Sequence, residues 1–181
     1  MGEDALLLKL YERIIQRYNR MISEKEDLSV SELRRRISPY NEFIRKLRAR
    51  LIRDLQPYDY QKHFFSALQR SIAYIKEINN VELPLTFWLT FEEIDQIKAA
   101  PIMDQALLLA TLLRSLEAKE VKVMVLRSRH PYVYFEWNNE KHLVNPQSGS
   151  LLRGEDVGKT LSADPVAYAF SDLFFESYEE E

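Results

Sequence analysis

Hydrophobic positions in the first third of the chain recur with helical spacing. Residues 4 to 22 carry Leu7, Tyr11, Ile14, Tyr18 and Met21 at spacings of 4, 3, 4 and 3, which predicts an amphipathic helix with one apolar stripe. Ser23-Glu-Lys-Glu-Asp-Leu28 reads as a polar loop. Ser29-Val-Ser-Glu32 has capping-box spacing. A second stripe follows: Leu33, Ile37, Tyr40, Ile44, Leu47, Leu51 and Leu55. Pro39 interrupts it, and Ser38-Pro39 suits the cap and first position of a new helix. The two stripes predict an antiparallel helical hairpin, packed on the core or on a second copy of the chain.

After Pro57-Tyr-Asp-Tyr60, Phe64, Leu68, Ile72 and Ile75 predict a third helix to about Ile78. Val81 to Leu89 is apolar, contains Pro84 and reads as extended. Thr90-Phe-Glu-Glu93 is another capping box, opening a short helix to about Lys98. Ile102 to Leu116 is leucine-rich on most sides, which predicts a helix buried nearly all round, with Pro101 at its entry.

The period then changes to two. Val121, Val123 and Val125 mark one face of a strand running to Arg127. Tyr132 to Trp137 and Lys141 to Asn145 form a hairpin about Asn138-Asn139, because Asn tolerates positive φ. A two-residue turn there sets Trp137 opposite Glu140, Glu136 opposite Lys141 and His142 opposite Phe135. It sets His130 opposite Gln147, so His130 and Asn145 share a face within side-chain reach. Asp164-Pro165 reads as the cap and first turn of a helix to about Phe175. The Glu179-Glu-Glu181 tail reads as frayed.

These residues carry a family resemblance. The stretch from Trp88 to Ser148 resembles the core of the transglutaminase-like superfamily, whose architecture is shared with papain-like cysteine peptidases and peptide N-glycanases. In that family Gly-x-Cys-x-Asp-x-Ala-Leu-Leu opens a helix, His stands on one strand and Asp-Pro on the next. Here Ala100 stands at the Gly and Ile102 at the Cys, while Asp104 keeps the acidic position. His130 matches the His, and Asn145, before Pro146, stands at the Asp. The resemblance implies an α+β fold: a buried central helix on a small antiparallel β-sheet, with an N-terminal helical extension at residues 1–56 and the core at 57–181. It implies a degenerate triad of Ile102, His130 and Asn145, with no thiol to attack a carbonyl.

Composition narrows the chemistry further. The chain has 181 residues, 46% of them hydrophobic, which suits one domain or one domain with an extension. It has no cysteine, so disulfides, thiolate metal sites and thiol nucleophiles are excluded. A net charge of -3 exerts no global pull toward nucleic acid or an anionic membrane. No apolar run reaches the length of a membrane span, the start carries acids where a secretory signal has bases, and Leu6 breaks a myristoylation motif. A cytoplasmic location is expected.

Ser128 and Ser148 read as loop serines, since no nucleophile elbow surrounds either. His63, His130 and His142 lack ligand spacing, so no metal or other cofactor is expected. Trp88, Asp104, Tyr132 and Tyr134 are candidate binding residues around a cleft. The bases Arg34, Arg35, Arg36, Arg45, Lys46, Arg48, Arg50 and Arg53 avoid the apolar stripe. They read as its solvent face, with a polyanion patch as the alternative.

The expected function is a catalytically inactive domain that binds a peptide or protein segment, with self-association through the N-terminal helices allowed and nucleic acid not expected. Two alternatives stay open: a helical interaction module with a purely structural α/β part, and a hydrolase using a nucleophile other than Cys.

Overall fold

A computed structural model describes the backbone of residues 3–83 and 85–178, and the side chains within them except 3–7, 25 and 26. Pro84 and the acidic tail, both read in the sequence, lie outside the described residues, as does the Leu7 side chain.

Helix α1 spans Glu3–Glu26 and α2 spans Val30–Arg35. The polar stretch from Ser23 continues α1 instead of looping, because alternating Glu and Lys are good helix formers. Ser29 caps α2 with the full reciprocal capping box to Glu32. Helix α3, Glu42–Leu51, starts three residues later than Ser38-Pro39 suggested. The Asn41 carboxamide caps it instead, accepting from the Phe43 and Ile44 amides at 2.8 and 3.3 Å. Helix α4, Tyr60–Lys76, is capped by Asp59. A two-residue strand, β1 at Asn79–Asn80, pairs in parallel with β2 at Ala99–Ala100, and the capping-box helix α5, Phe91–Ile97, lies between them.

The leucine-rich helix α6, Ile102–Ser115, is the centre of the molecule: every residue from Asp104 to Leu113 is buried. It packs on α3, α4 and one face of a six-stranded antiparallel sheet. The strands are β3 (Lys119–Leu126), β4 (Pro131–Trp137), β5 (Glu140–Val144), β6 (Leu151–Arg153), β7 (Val166–Phe170) and β8 (Phe175–Ser177), in spatial order β6-β5-β4-β3-β7-β8. Val123, Val125, Val133, Phe135, Val144 and Phe170 face α6 and join Ile44, Leu47, Phe64 and Leu68 in the main core. Thus α3 is part of the core, whereas every residue of α1 from Leu8 to Met21 is exposed and the hairpin drawn from the two stripes does not form within the chain.

The β4–β5 register is the one the Asn138-Asn139 turn requires. Trp137 pairs with Glu140, Glu136 with Lys141 and Phe135 with His142, and both asparagines have positive φ, 51° and 61°. Pairing stops at Val133 with Val144, so His130 and Gln147 are not ladder partners.

The end of the chain differs from its sequence reading. The helix expected after Asp164-Pro165 is a strand, and the helix lies before it, as α7 over Glu155–Ala163. Asp164 is extended, and its carboxylate accepts from the Ser128 amide at 3.2 Å. The Pro165 carbonyl accepts from the Arg127 amide. In Val166-Ala-Tyr-Ala-Phe170, Tyr168 and Phe170 lie on the α6 side and Ala169 on the other, so period two overrides the helical preference of alanine. Val157 and Leu161, one turn apart on α7, cover Met124, Tyr134, Leu143 and Ala169 on the sheet's outer face.

Candidate functional site

The start of α6 is held by its own chemistry. Pro101 supplies the extended residue before the helix, and its carbonyl accepts the first helical bond, from the Gln105 amide at 3.1 Å. Gln105 is buried, and its side-chain amide reaches back to the Ala100 carbonyl at 3.0 Å, tying the helix entry to β2. Ile102 and Met103 are half-buried on the first turn.

A cleft of about 690 Å³ opens at this turn. One wall is the connection from β1 to α5, including Leu83, Leu85, Phe87 and Trp88. The floor is Pro101 to Asp104, and Arg129 stands at the side, in the turn before β4. Of the residues the sequence marked, Trp88, Ile102 and Asp104 line this cleft, whereas His130, Tyr132, Tyr134 and Asn145 are not among its lining residues. Apolar side chains dominate the lining, with Asp104, Glu82 and Arg129 as its charged members.

Asp104 is 1% exposed. Its Oδ1 lies 3.5 Å from Nη2 of Arg36, and its Oδ2 has no hydrogen-bond partner among the described residues. Burial pushes its carboxyl up to about 6, against the opposing pulls of the Arg36 charge and the Leu89 amide. Arg36 also donates to the Leu89 carbonyl and lies over the Trp88 ring, 5.4 Å from its centroid. One guanidinium therefore joins α2, the cleft wall and the first turn of α6. Nothing in the local sequence signals this, since Arg36 sits in a run of three arginines and its partners lie more than fifty residues on.

His130 and Asn145 meet. The Asn145 carboxamide nitrogen is 3.0 Å from Nε2 of His130, and the imidazole packs on Tyr132 at 5.2 Å between ring centroids. Asn145 Oδ1 accepts from the Gln147 and Ser148 amides at 2.9 and 3.0 Å. With that oxygen occupied, the NH₂ end faces His130 and donates to it. This is opposite to a triad, in which the third member accepts from the imidazole and supports its cationic form.

The other candidates lie as follows. Tyr134 is buried under α7 with its hydroxyl on Glu136, in the smaller core. Tyr132 is half-buried beside it. His142 is 1% exposed and stacks on Phe135 at 4.9 Å and 8°, and burial pushes its imidazole below the ordinary range. Of the basic run, Arg34 donates to the Asp172 carbonyl at 3.0 Å, and Arg48 reaches Glu117 at 3.2 Å and lies over Tyr58. Arg35 and Arg45 are exposed. The bases are thus partly consumed in intramolecular contacts. Arg129, Leu83 and Phe87 were not singled out from the sequence. Arg129 has φ 66°, a turn conformation that no local motif announces.

Among the described residues, no cluster of three or more His, Asp or Glu could hold a metal ion, and no helix is long and apolar enough to cross a membrane.

The structure of LapG from Legionella pneumophila in its calcium-bound form is similar to this one. It superposes with a TM-score of 0.55 at 13% sequence identity, over 85% of this chain and 90% of that chain. The fold is α+β and transglutaminase-like. At this identity the likeness concerns the fold alone. No family model matches the sequence, and no curated protein does.

Proposed function

We propose that the protein is a transglutaminase-like domain without thiol chemistry that binds a peptide segment in the cleft at the start of α6. The observation that carries this reading is the composition of that cleft: an isoleucine at the first helical position, in a groove whose apolar lining includes Leu83, Phe87, Trp88 and Met103. A hydrocarbon there removes the nucleophile and adds apolar surface that a bound side chain covers, at about 25 cal/mol per Å² buried. The cleft volume lies within the range of binding sites for small ligands and peptide side chains. The donor geometry of Asn145 supports the inactive reading, because it does not assist an imidazolium. An open cleft also argues against a purely structural α/β part, which would fill the space around Ile102 with side chains.

Selection from a random linear peptide library on the purified chain tests this. Enriched peptides should carry an apolar anchor and lose at least about tenfold in affinity, some 1.4 kcal/mol, for Ile102→Arg and Phe87→Ala. Equal binding to these variants, or no enrichment, removes the cleft reading. A parallel screen for amide hydrolysis and amide transfer should be blank. Turnover that disappears in His130→Ala would overturn the inactive half of the proposal.

A further inference from the structure

Helix α1 is 24 residues long, and every residue from Leu8 to Met21 is exposed. Tyr11, Ile14, Tyr18 and Met21 are 46–55% exposed although they form one stripe, and Ile15 widens it on one side. In proteins most of a helix's stability comes from packing its apolar face, and this face is left exposed. A continuous exposed stripe is also more than the scattered apolar surface of a monomer.

We infer that the chain self-associates through α1, the occupant of the stripe being the α1 helices of further copies, packed in parallel. The 3-4 spacing is that of a helical-bundle seam. The breadth of the stripe suits a bundle of helices. Charge decides the occupant. α1 carries five basic and five acidic residues, a balance unsuited to an anionic membrane surface, where the polar face is rich in Lys and Arg. Charge also decides the direction. One flank of the stripe carries Arg13 and Arg17, and the other carries Glu12 and Asn19. Parallel packing sets the arginine flank of one helix beside the Glu12 flank of its neighbour, whereas antiparallel packing sets arginines against arginines.

Sedimentation velocity and light scattering on the full chain, over a dilution series, give the first test. The wild type should exceed the monomer mass of 21.5 kDa, and Ile14→Glu with Tyr18→Glu should return it to that mass. The near-ultraviolet dichroism of Trp88 and Trp137 should not change, because both lie in the body of the fold. A wild type that stays monomeric, or an assembly that survives the double substitution, overturns the inference. So does flotation of a monomeric wild type with anionic vesicles. Direction is read with Met21→Cys, which is clean because the chain has no other cysteine. Oxidation should link the copies through this residue, while Lys9→Cys on the opposite face should not link. An assembly that Met21→Cys fails to cross-link overturns the parallel arrangement.

Discussion

The carboxamide nitrogen of Asn145 donates to Nε2 of His130 across 3.0 Å, because the Asn145 oxygen is committed to the backbone amides of Gln147 and Ser148. The imidazole must present a lone pair at Nε2 and therefore carries its proton on Nδ1. Nitrogen-15 NMR should show the Nδ1–H tautomer. In Asn145→Asp, one carboxylate oxygen still serves the two amides and the other replaces the donor, so the proton should move to Nε2. Finding the Nε2–H tautomer in the wild type would show that the amide is turned the other way.

Ile102 is the first residue of α6, where unpaired backbone N–H groups stabilise an anion. Ile102→Cys should therefore react with iodoacetamide at neutral pH faster than Asn139→Cys, placed in the exposed β4–β5 turn. It should not gain amide hydrolysis, since Asn145 still donates to the imidazole. Equal alkylation rates would deny the helix start any influence on residue 102.

The Asp104 carboxyl is raised from 3.8 to about 6 by burial. Between those values the folded chain holds a proton that the unfolded chain has released. Stability from this group is complete below the lower value and declines as pH rises through the upper one. The decline amounts to about 3 kcal/mol. His142, lowered by burial, acts in the other direction: its contribution is complete above 6.5 and is lost as pH falls. Comparing wild type with Asp104→Asn cancels the histidine. Urea unfolding should show the variant gaining on the wild type by up to about 3 kcal/mol between pH 4 and pH 8. A gap that does not change with pH would contradict the raised carboxyl.

Removing the Arg36 guanidinium leaves the Asp104 carboxylate buried without its cation and releases the Trp88 wall. Arg36→Met should cost about 3 kcal/mol at pH 8, and less at pH 4, where Asp104 is protonated. Asp104→Asn in the same chain should restore most of the loss. Additive effects in the double variant, measured by urea unfolding, would show that the two residues act separately.

Gly149 has φ 71° in the turn that positions Asn145, and its amide donates to the Asn145 carbonyl at 2.8 Å. A Cβ there would stand 2.5 Å from Lys76 Cδ and 3.0 Å from Ile72 Cγ2 on α4. Gly149→Ala should destabilise by about 1–3 kcal/mol and loosen the His130 contact. An unchanged melting temperature would mean that the turn adapts at no cost.

The central helix, the two capping boxes and the β4–β5 hairpin were legible in the residues alone. Each rests on a local rule: leucines all round a helix, Ser or Thr three residues before Glu, two asparagines that tolerate positive φ. The meeting of His130 with Asn145 followed from the same register, although the ladder ends before it reaches them. The last strands were not legible, because Asp-Pro and alanine carry helical signals locally and the pairing of β7 with β3 spans some forty residues. The orientation of the Asn145 amide is itself local. The Gln147 and Ser148 amides hold its oxygen within three residues and leave the NH₂ end for the imidazole, an asparagine turn that went unread in the sequence. Tertiary structure alone turned Arg36 from a surface base into the partner of Asp104 and Trp88. A sequence displays what each residue prefers among its neighbours, while partners distant in the chain are chosen only when the core closes and buried charges must find each other.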